Sequence, residues 1–316
     1  MDIQQELNKG SGFGNLELLA RQVVEGFISG MHKSPFHGFS AEFAEHKVYN
    51  TGESTKHIDW KLYAKTDRLY TKRYEEETNL RCHLILDNSS SMHYPEVKTY
   101  SLSHLNKISF SALASAAIMN LMKKQRDAVG MSIYSDTYDY YVGEKGSDRH
   151  HHMLLDKLNS LLDPAFAKAN SQAPARQTDT YKHLHLIAEK LKRRSLVFIF
   201  SDMFQSDVEQ EALFEALQHL KYNKHEVILF HTYSRTKEYN FEFSNAPKKY
   251  VDVETGAQVN LYADSIRDIY TQAVETYFKN LQLKCAQYRI KYIPAEIEKG
   301  FHPILTTFLV ERQKFV

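Results

Sequence analysis

Oxygen-bearing side chains alternate along one short stretch of the chain, the D-N-S-S-S segment at 87–91. In a tight loop, the first, third and fifth residues can turn to the same side, so Asp87, Ser89 and Ser91 could surround one small cation. Mg²⁺ prefers such hard oxygen ligands. Asp and Ser are also common in turns and helix caps, because their side chains bond to nearby backbone. The segment alone leaves both interpretations open.

Two later positions could contribute to the same chemistry. A Q-T-D-T segment at 177–180 precedes an amphipathic helical pattern, where a hydroxyl could either approach a metal or cap the helix. Asp202 follows the apolar run at 195–200, and a carboxylate leaving a buried strand needs a cation or hydrogen-bond donors. These positions strengthen the metal interpretation without proving it.

The elements that must position these residues are strands alternating with helices. Five short apolar runs read as strands, and stripes of helical period separate most of them. Such alternation predicts βαβ units and a mostly parallel sheet with helices on both faces, an α/β Rossmann-like fold. Ligands bind beyond the carboxyl ends of such strands. The predicted strands are 82–87, 129–134, 195–200, 225–233 and 288–294.

The first 80 residues have a different pattern. An apolar stripe predicts a helix over about 15–29, and short strands are expected within 39–49 and 69–77, with a turn or short helix at 56–66. We expect residues 1–80 to form an N-terminal helix and β extension that packs on the main domain, residues 81–316, without a core of its own.

The order of the chemical residues resembles a known metal site. D-x-S-x-S, a T-x-T-x-x-x-hydrophobic loop and a strand-end Asp are similar to the metal-ion-dependent adhesion site of von Willebrand factor A domains. The resemblance implies one divalent metal, Mg or Mn. It selects Thr178 over Thr180, because 178–184 matches the loop pattern. The implied ligands, some acting through water, are Asp87, Ser89, Ser91, Thr178 and Asp202.

A second resemblance covers nearly the whole chain. The segments at 16–20, 38–43, 49–53, 57–61 and 74–77 are similar to domain-of-unknown-function family fifty-eight, a branch of the A-domain superfamily. Members are often encoded beside MoxR-type AAA+ ATPases and are thought to act with them. The resemblance implies a non-enzymatic, metal-dependent protein–protein interaction module. Its partner would be such an ATPase or the ATPase's client, supplying an acidic side chain to complete the metal shell.

Parts of the sequence are also compatible with two other classes of function. A Mg-dependent phosphatase or nuclease could use Asp87 and Asp202. Haloacid-dehalogenase-type enzymes usually place a second acid two residues after the first, however, and Ser89 stands there. RNA binding would draw on the basic run at 190–194. The balance of 40 basic and 39 acidic residues argues against a nucleic-acid partner.

The remaining features bear on cellular location and membrane association rather than on the chemistry of the site. Cys82 and Cys285 lie in apolar or amphipathic runs and are interpreted as buried thiols, as in a reducing compartment. The apolar stretch at 110–122 is too short for a bilayer of roughly 30 Å. We therefore expect a cytoplasmic protein without stable membrane insertion. The three histidines at 150–152 are interpreted as a solvated loop or helix start, because adjacent residues cannot all face one ion.

Overall fold

The computed structural model describes residues 16–31, 46–48, 60–72, 80–97, 104–135, 140–162, 180–192, 194–203, 207–244, 248–251 and 258–313. Its strands are β1 His46–Val48, β2 Tyr70–Lys72, β3 Arg81–Asp87, β4 Ala128–Tyr134, β5 Tyr140–Lys145, β6 Leu196–Ser201, β7 Glu226–Tyr233, β8 Lys248–Val251, β9 Gln258–Leu261 and β10 Lys291–Glu296. Its α-helices are α1 Leu16–Met31, α2 Trp60–Thr66, α3 Lys107–Lys124, α4 Asp148–Leu161, α5 Thr180–Lys190, α6 Asp207–Tyr222, α7 Ala263–Gln287 and α8 His302–Gln313.

Six strands form the central sheet in the order β10-β7-β6-β3-β4-β5. All neighbours run parallel except β5, which pairs antiparallel with β4 at one edge. Every residue of β6 is buried, because helices cover both faces of the sheet. The predicted α/β fold with a mostly parallel sheet is therefore confirmed.

Two hydrophobic cores lie on opposite faces of this sheet. Residues of α1, α3, α4 and α8 pack into one core, and residues of α5, α6 and α7 pack into the other. Helix α3 is the most enclosed, since every residue from 107 to 119 is buried. It begins at a capping box, in which Asn106 accepts from the Ser109 backbone and Ser109 accepts from the Asn106 backbone.

All five predicted strands are present, although the one predicted at 288–294 begins only at Lys291 and extends to Glu296. Strand β5 was not predicted, because it is a partly exposed edge strand that lacks a continuous apolar run. In the N-terminal part, β1 and β2 pair antiparallel, and α1 contributes Leu16, Leu19 and Val24 to the core of α3. The boundary at residue 80 remains a prediction. No helix in the described part of the chain is long and apolar enough to cross a membrane.

The centre of the sheet contains a topological switch point. Strand β3 pairs with β4 on one side and with β6 on the other. Connections that leave neighbouring strands in opposite directions open a crevice at the carboxyl ends of those strands. Asp87 ends β3 and Asp202 follows β6, so both acids lie at this crevice.

Candidate metal centre

Asp87 is buried at the end of β3, with only 3% of its surface exposed. The Ser201 hydroxyl donates to its Oδ2 at 2.6 Å, and the Ser89 backbone N–H donates to its Oδ1 at 2.9 Å. Burial, and then the negative charge of Asp202, raise the pKa of Asp87 to about 6 despite these hydrogen bonds. The carboxylate is thus held in place, but its charge is under-compensated.

The loop after β3 turns its hydroxyls together. A 3₁₀ turn spans Ser90–His93, and the Oγ atoms of Ser89 and Ser91 lie 3.1 Å apart. Both serines are buried, and His93 steadies the loop through a 3.1 Å contact with Asn88. Asp87, Ser89 and Ser91 therefore present oxygens from one short loop, as predicted from their spacing.

Asp202 is fixed where the chain leaves β6. It is 2% exposed, and its backbone carbonyl lies 2.8 Å from Nε2 of His231, which is on β7. Met203 then adopts a positive φ of 52°, so the backbone turns sharply after Asp202. The Asp202 Oδ2 atom accepts a hydrogen bond from Lys107 Nζ at 2.7 Å.

Lys107 is a site residue that sequence reasoning missed. It is the first residue of α3, its side chain is fully buried, and its ammonium contacts Glu238 as well as Asp202. Burial alone would lower the pKa of Lys107, but the two carboxylates raise it above its ordinary value, so the ammonium stays charged. A lysine is unfavourable at the N-terminus of a helix, because the helix dipole is positive there. A lysine at the start of an apolar helix was therefore the sequence signal that could have identified Lys107.

The composition of the site fits a divalent cation. Two carboxylates, Asp202 and Glu238, contact the Lys107 ammonium, and the buried Asp87 carboxylate acts electrostatically on Asp202, so the three acids exceed the one ammonium by two negative charges when all are ionised. Burial, and then the charge of Asp87, raise the pKa of the Tyr134 hydroxyl, so this residue adds a neutral oxygen close to the two aspartates. The donor atoms are all hard oxygens, as Mg²⁺ or Mn²⁺ requires.

The structure does not test the proposed threonine ligand. Thr178 lies outside the described residues, whereas Thr180 is the buried first residue of α5. Among the described residues, no three His, Cys, Asp or Glu side chains group as a metal site. The candidate centre therefore depends on two aspartates assisted by hydroxyl groups.

The family comparison covers most of this architecture. A family model described as protein of unknown function DUF58 matches residues 45–277, from β1 into α7. The chain belongs to the DUF58 family. Both aspartates, the serine loop, Lys107 and Glu238 lie within the matched region of this DUF58 protein.

Curated relatives of this DUF58 protein occur in mycobacteria. An uncharacterized protein of Mycobacterium tuberculosis is 23% identical over 188 residues, which cover 59% of this chain and 55% of the relative. An uncharacterized protein of Mycobacterium bovis matches with the same identity and coverage. The chain thus spans about half the length of the curated relatives it matches.

Proposed function

We propose that this DUF58 protein is a non-enzymatic module that binds a partner protein through one Mg²⁺ or Mn²⁺ ion. The ligands would be Asp87, Ser89, Ser91, Thr178 and Asp202. The observation that carries the proposal is the burial of Asp87 and Asp202 at adjoining strand ends, beside paired serine hydroxyls. Buried carboxylates at a switch-point crevice are suited to holding a ligand.

The chemistry of the site explains how a partner would be gripped. Hydroxyl ligands carry no charge, so they leave a divalent ion with residual positive charge. An Asp or Glu from a partner would then replace water with a charged ligand in a partly desolvated site. Charge-assisted contacts of this kind are stronger than neutral ones. We propose that the partner's acidic side chain completes the metal shell.

The partner class comes from the family resemblance. We propose that the module acts as an adaptor for a MoxR-type AAA+ ATPase, or binds that ATPase's client. Hydrolysis of ATP would belong to the partner. The two free cysteines, Cys82 and Cys285, are both buried, which supports the proposed cytoplasmic location.

Capture of the ATPase by the immobilised protein tests this function. We expect capture with Mg²⁺ or Mn²⁺, loss with EDTA, and recovery when the cation returns. Asp87→Ala and Asp202→Ala should both fail to capture. Asp148→Ala is the control, because it removes an acid on α4 whose side chain is 78% exposed. Capture that is unaffected by EDTA and by both substitutions would contradict a metal-bridged interface.

One observation favours a second candidate, a Mg-dependent phosphatase or nuclease. The pKa of Asp87 is raised to about 6, which suits a general acid or base near neutral pH. Ser89 stands where haloacid-dehalogenase-type enzymes place their second acid, so the interaction module remains the better-supported proposal. A screen with phosphomonoesters and single-stranded DNA separates the two, because Asp87-dependent turnover would establish the enzyme instead.

A further inference from the structure

The Lys107 ammonium already contacts the Asp202 carboxylate, which a metal cation would also need as a ligand. Its Nζ lies 2.7 Å from Asp202 Oδ2, and its side chain is fully buried. We infer that Lys107 keeps the intrinsic cation affinity of the site low, so that stable occupancy requires a partner's carboxylate. This inference rests on the proposed function and adds its regulation.

The physical reason is electrostatic repulsion across a short, poorly screened distance. A cation that uses the Asp202 carboxylate would lie within a few ångströms of the ammonium. Repulsion between buried charges is much stronger than in bulk water, and salt screens it little. A partner's carboxylate would offset this repulsion by adding negative charge to the ion.

Glu238 gives Lys107 a second anchor when a cation takes Asp202. The ammonium already contacts Glu238, whose other oxygen accepts from the Ser234 backbone at 2.7 Å. Glu238 belongs to the helical turn Arg235–Tyr239 that follows β7. The lysine can therefore release Asp202 without becoming an unpaired buried charge, which would be costly.

The two partners of this ion pair should affect cation binding in opposite directions. Loss of the ammonium removes the repulsion and frees Asp202. Loss of the Glu238 charge removes one of the two carboxylates that contact Lys107, so the ammonium should hold Asp202 more strongly. It also removes a negative charge near the cation. A purely structural pair would behave differently, because either substitution would disturb the same local structure.

Calorimetric titration with MgCl₂ and MnCl₂, on the full chain without partner, tests the inference. We expect Lys107→Met to bind the cation roughly tenfold more tightly than wild type or better. Glu238→Gln should bind roughly tenfold more weakly. Lys291→Met is the matched control, since it removes an ammonium 2.6 Å from the buried Glu311, and its affinity should not change. Lys107→Gln, which keeps hydrogen-bond donors, replaces Lys107→Met if melting in EDTA shows that the methionine variant is unfolded.

The outcomes separate the inference from the proposed function. Tighter binding by the Lys107 variant together with weaker binding by Glu238→Gln supports the inference. Wild-type affinity in both variants, or weaker binding in both, overturns it and leaves the metal-binding function standing. Absence of cation binding by the wild-type protein and by every variant would overturn the proposed metal site itself.

Discussion

The Ser201 hydroxyl donates to Asp87 Oδ2 at 2.6 Å and so joins the carboxyl ends of β6 and β3. The same hydroxyl accepts from the Met203 backbone N–H at 3.0 Å. One serine therefore positions the first aspartate and also fixes the backbone just after the second. Ser201 therefore fixes the relative position of Asp87 and Asp202, although the two aspartates lie in different loops.

Ser201→Ala should lower the free energy of unfolding by about 1–3 kcal/mol, because buried polar atoms at Asp87 and Met203 lose their partner. Urea unfolding in EDTA measures this effect. The control is Ser160→Ala, whose exposed hydroxyl bonds only locally, to the Lys157 carbonyl at 2.7 Å. Equal, negligible losses in both variants would contradict the positioning role of Ser201.

Asp87→Ala should abolish Mg²⁺ and Mn²⁺ binding in calorimetry while leaving the fold intact. Asp87→Asn should also lose most of the affinity. Because burial and Asp202 raise the pKa of Asp87 to about 6, its charge disfavours the folded state near neutral pH. In EDTA, Asp87→Asn should therefore be no less stable than wild type at pH 7.5. Unchanged cation affinity in Asp87→Ala would show that the ligand assignment is wrong.

Gly130→Ala should destabilise the sheet by about 1–3 kcal/mol. A Cβ at this position of β4 would lie 2.7 Å from His83 Nδ1 and 2.8 Å from the Val142 carbonyl oxygen. Because His83 is paired with Glu144 at 2.9 Å, it has little freedom to move. Urea unfolding would measure the loss. In the control Gly143→Ala, on the neighbouring strand, the added Cβ meets nothing within 4 Å, so a similar loss there would refute the steric explanation.

The contribution of His151 to stability should fall as the pH drops below the ordinary histidine value of 6.5. Burial first, and then nearby His150, lower the pKa of His151, so the folded chain takes up this proton less readily than the unfolded chain. The free energy of unfolding contributed by this group is complete above pH 6.5 and decreases below it. Urea unfolding at pH 7.5 and 5.5 should show a smaller difference for His151→Leu than for wild type.

The adjacent residue provides the control for this pH effect. The His152 side chain is 58% exposed on the same helix, and His152→Leu should retain the wild-type pH difference. If both leucine variants flatten the profile equally, burial of His151 is not the cause.

The structure also corrects one interpretation here: 150–152 does start a helix, but His150 and His151 are buried rather than solvated.

The sequence by itself was sufficient to predict the alternating strands and helices, and the edge at which Asp87 and Asp202 lie. The reason is that apolar periodicity and strand-end acids are local patterns, and parallel strands direct their carboxyl ends to one side. The same logic placed Ser89 and Ser91 together, since two residues of one short loop have few ways to separate. Edge strand β5 was missed because it lacks that local pattern.

Only the tertiary structure brought Lys107 to Asp202, which is 95 residues away, and to Glu238, which is 131 residues away. Local patterns cannot reveal these contacts, because they depend on strand order and on the packing of α3 over the sheet. The chain order alone did not require β6 to lie beside β3 with β7 next to it. That arrangement places the Lys107 ammonium between the Asp202 and Glu238 carboxylates, at the strand ends where the sequence predicts a metal site.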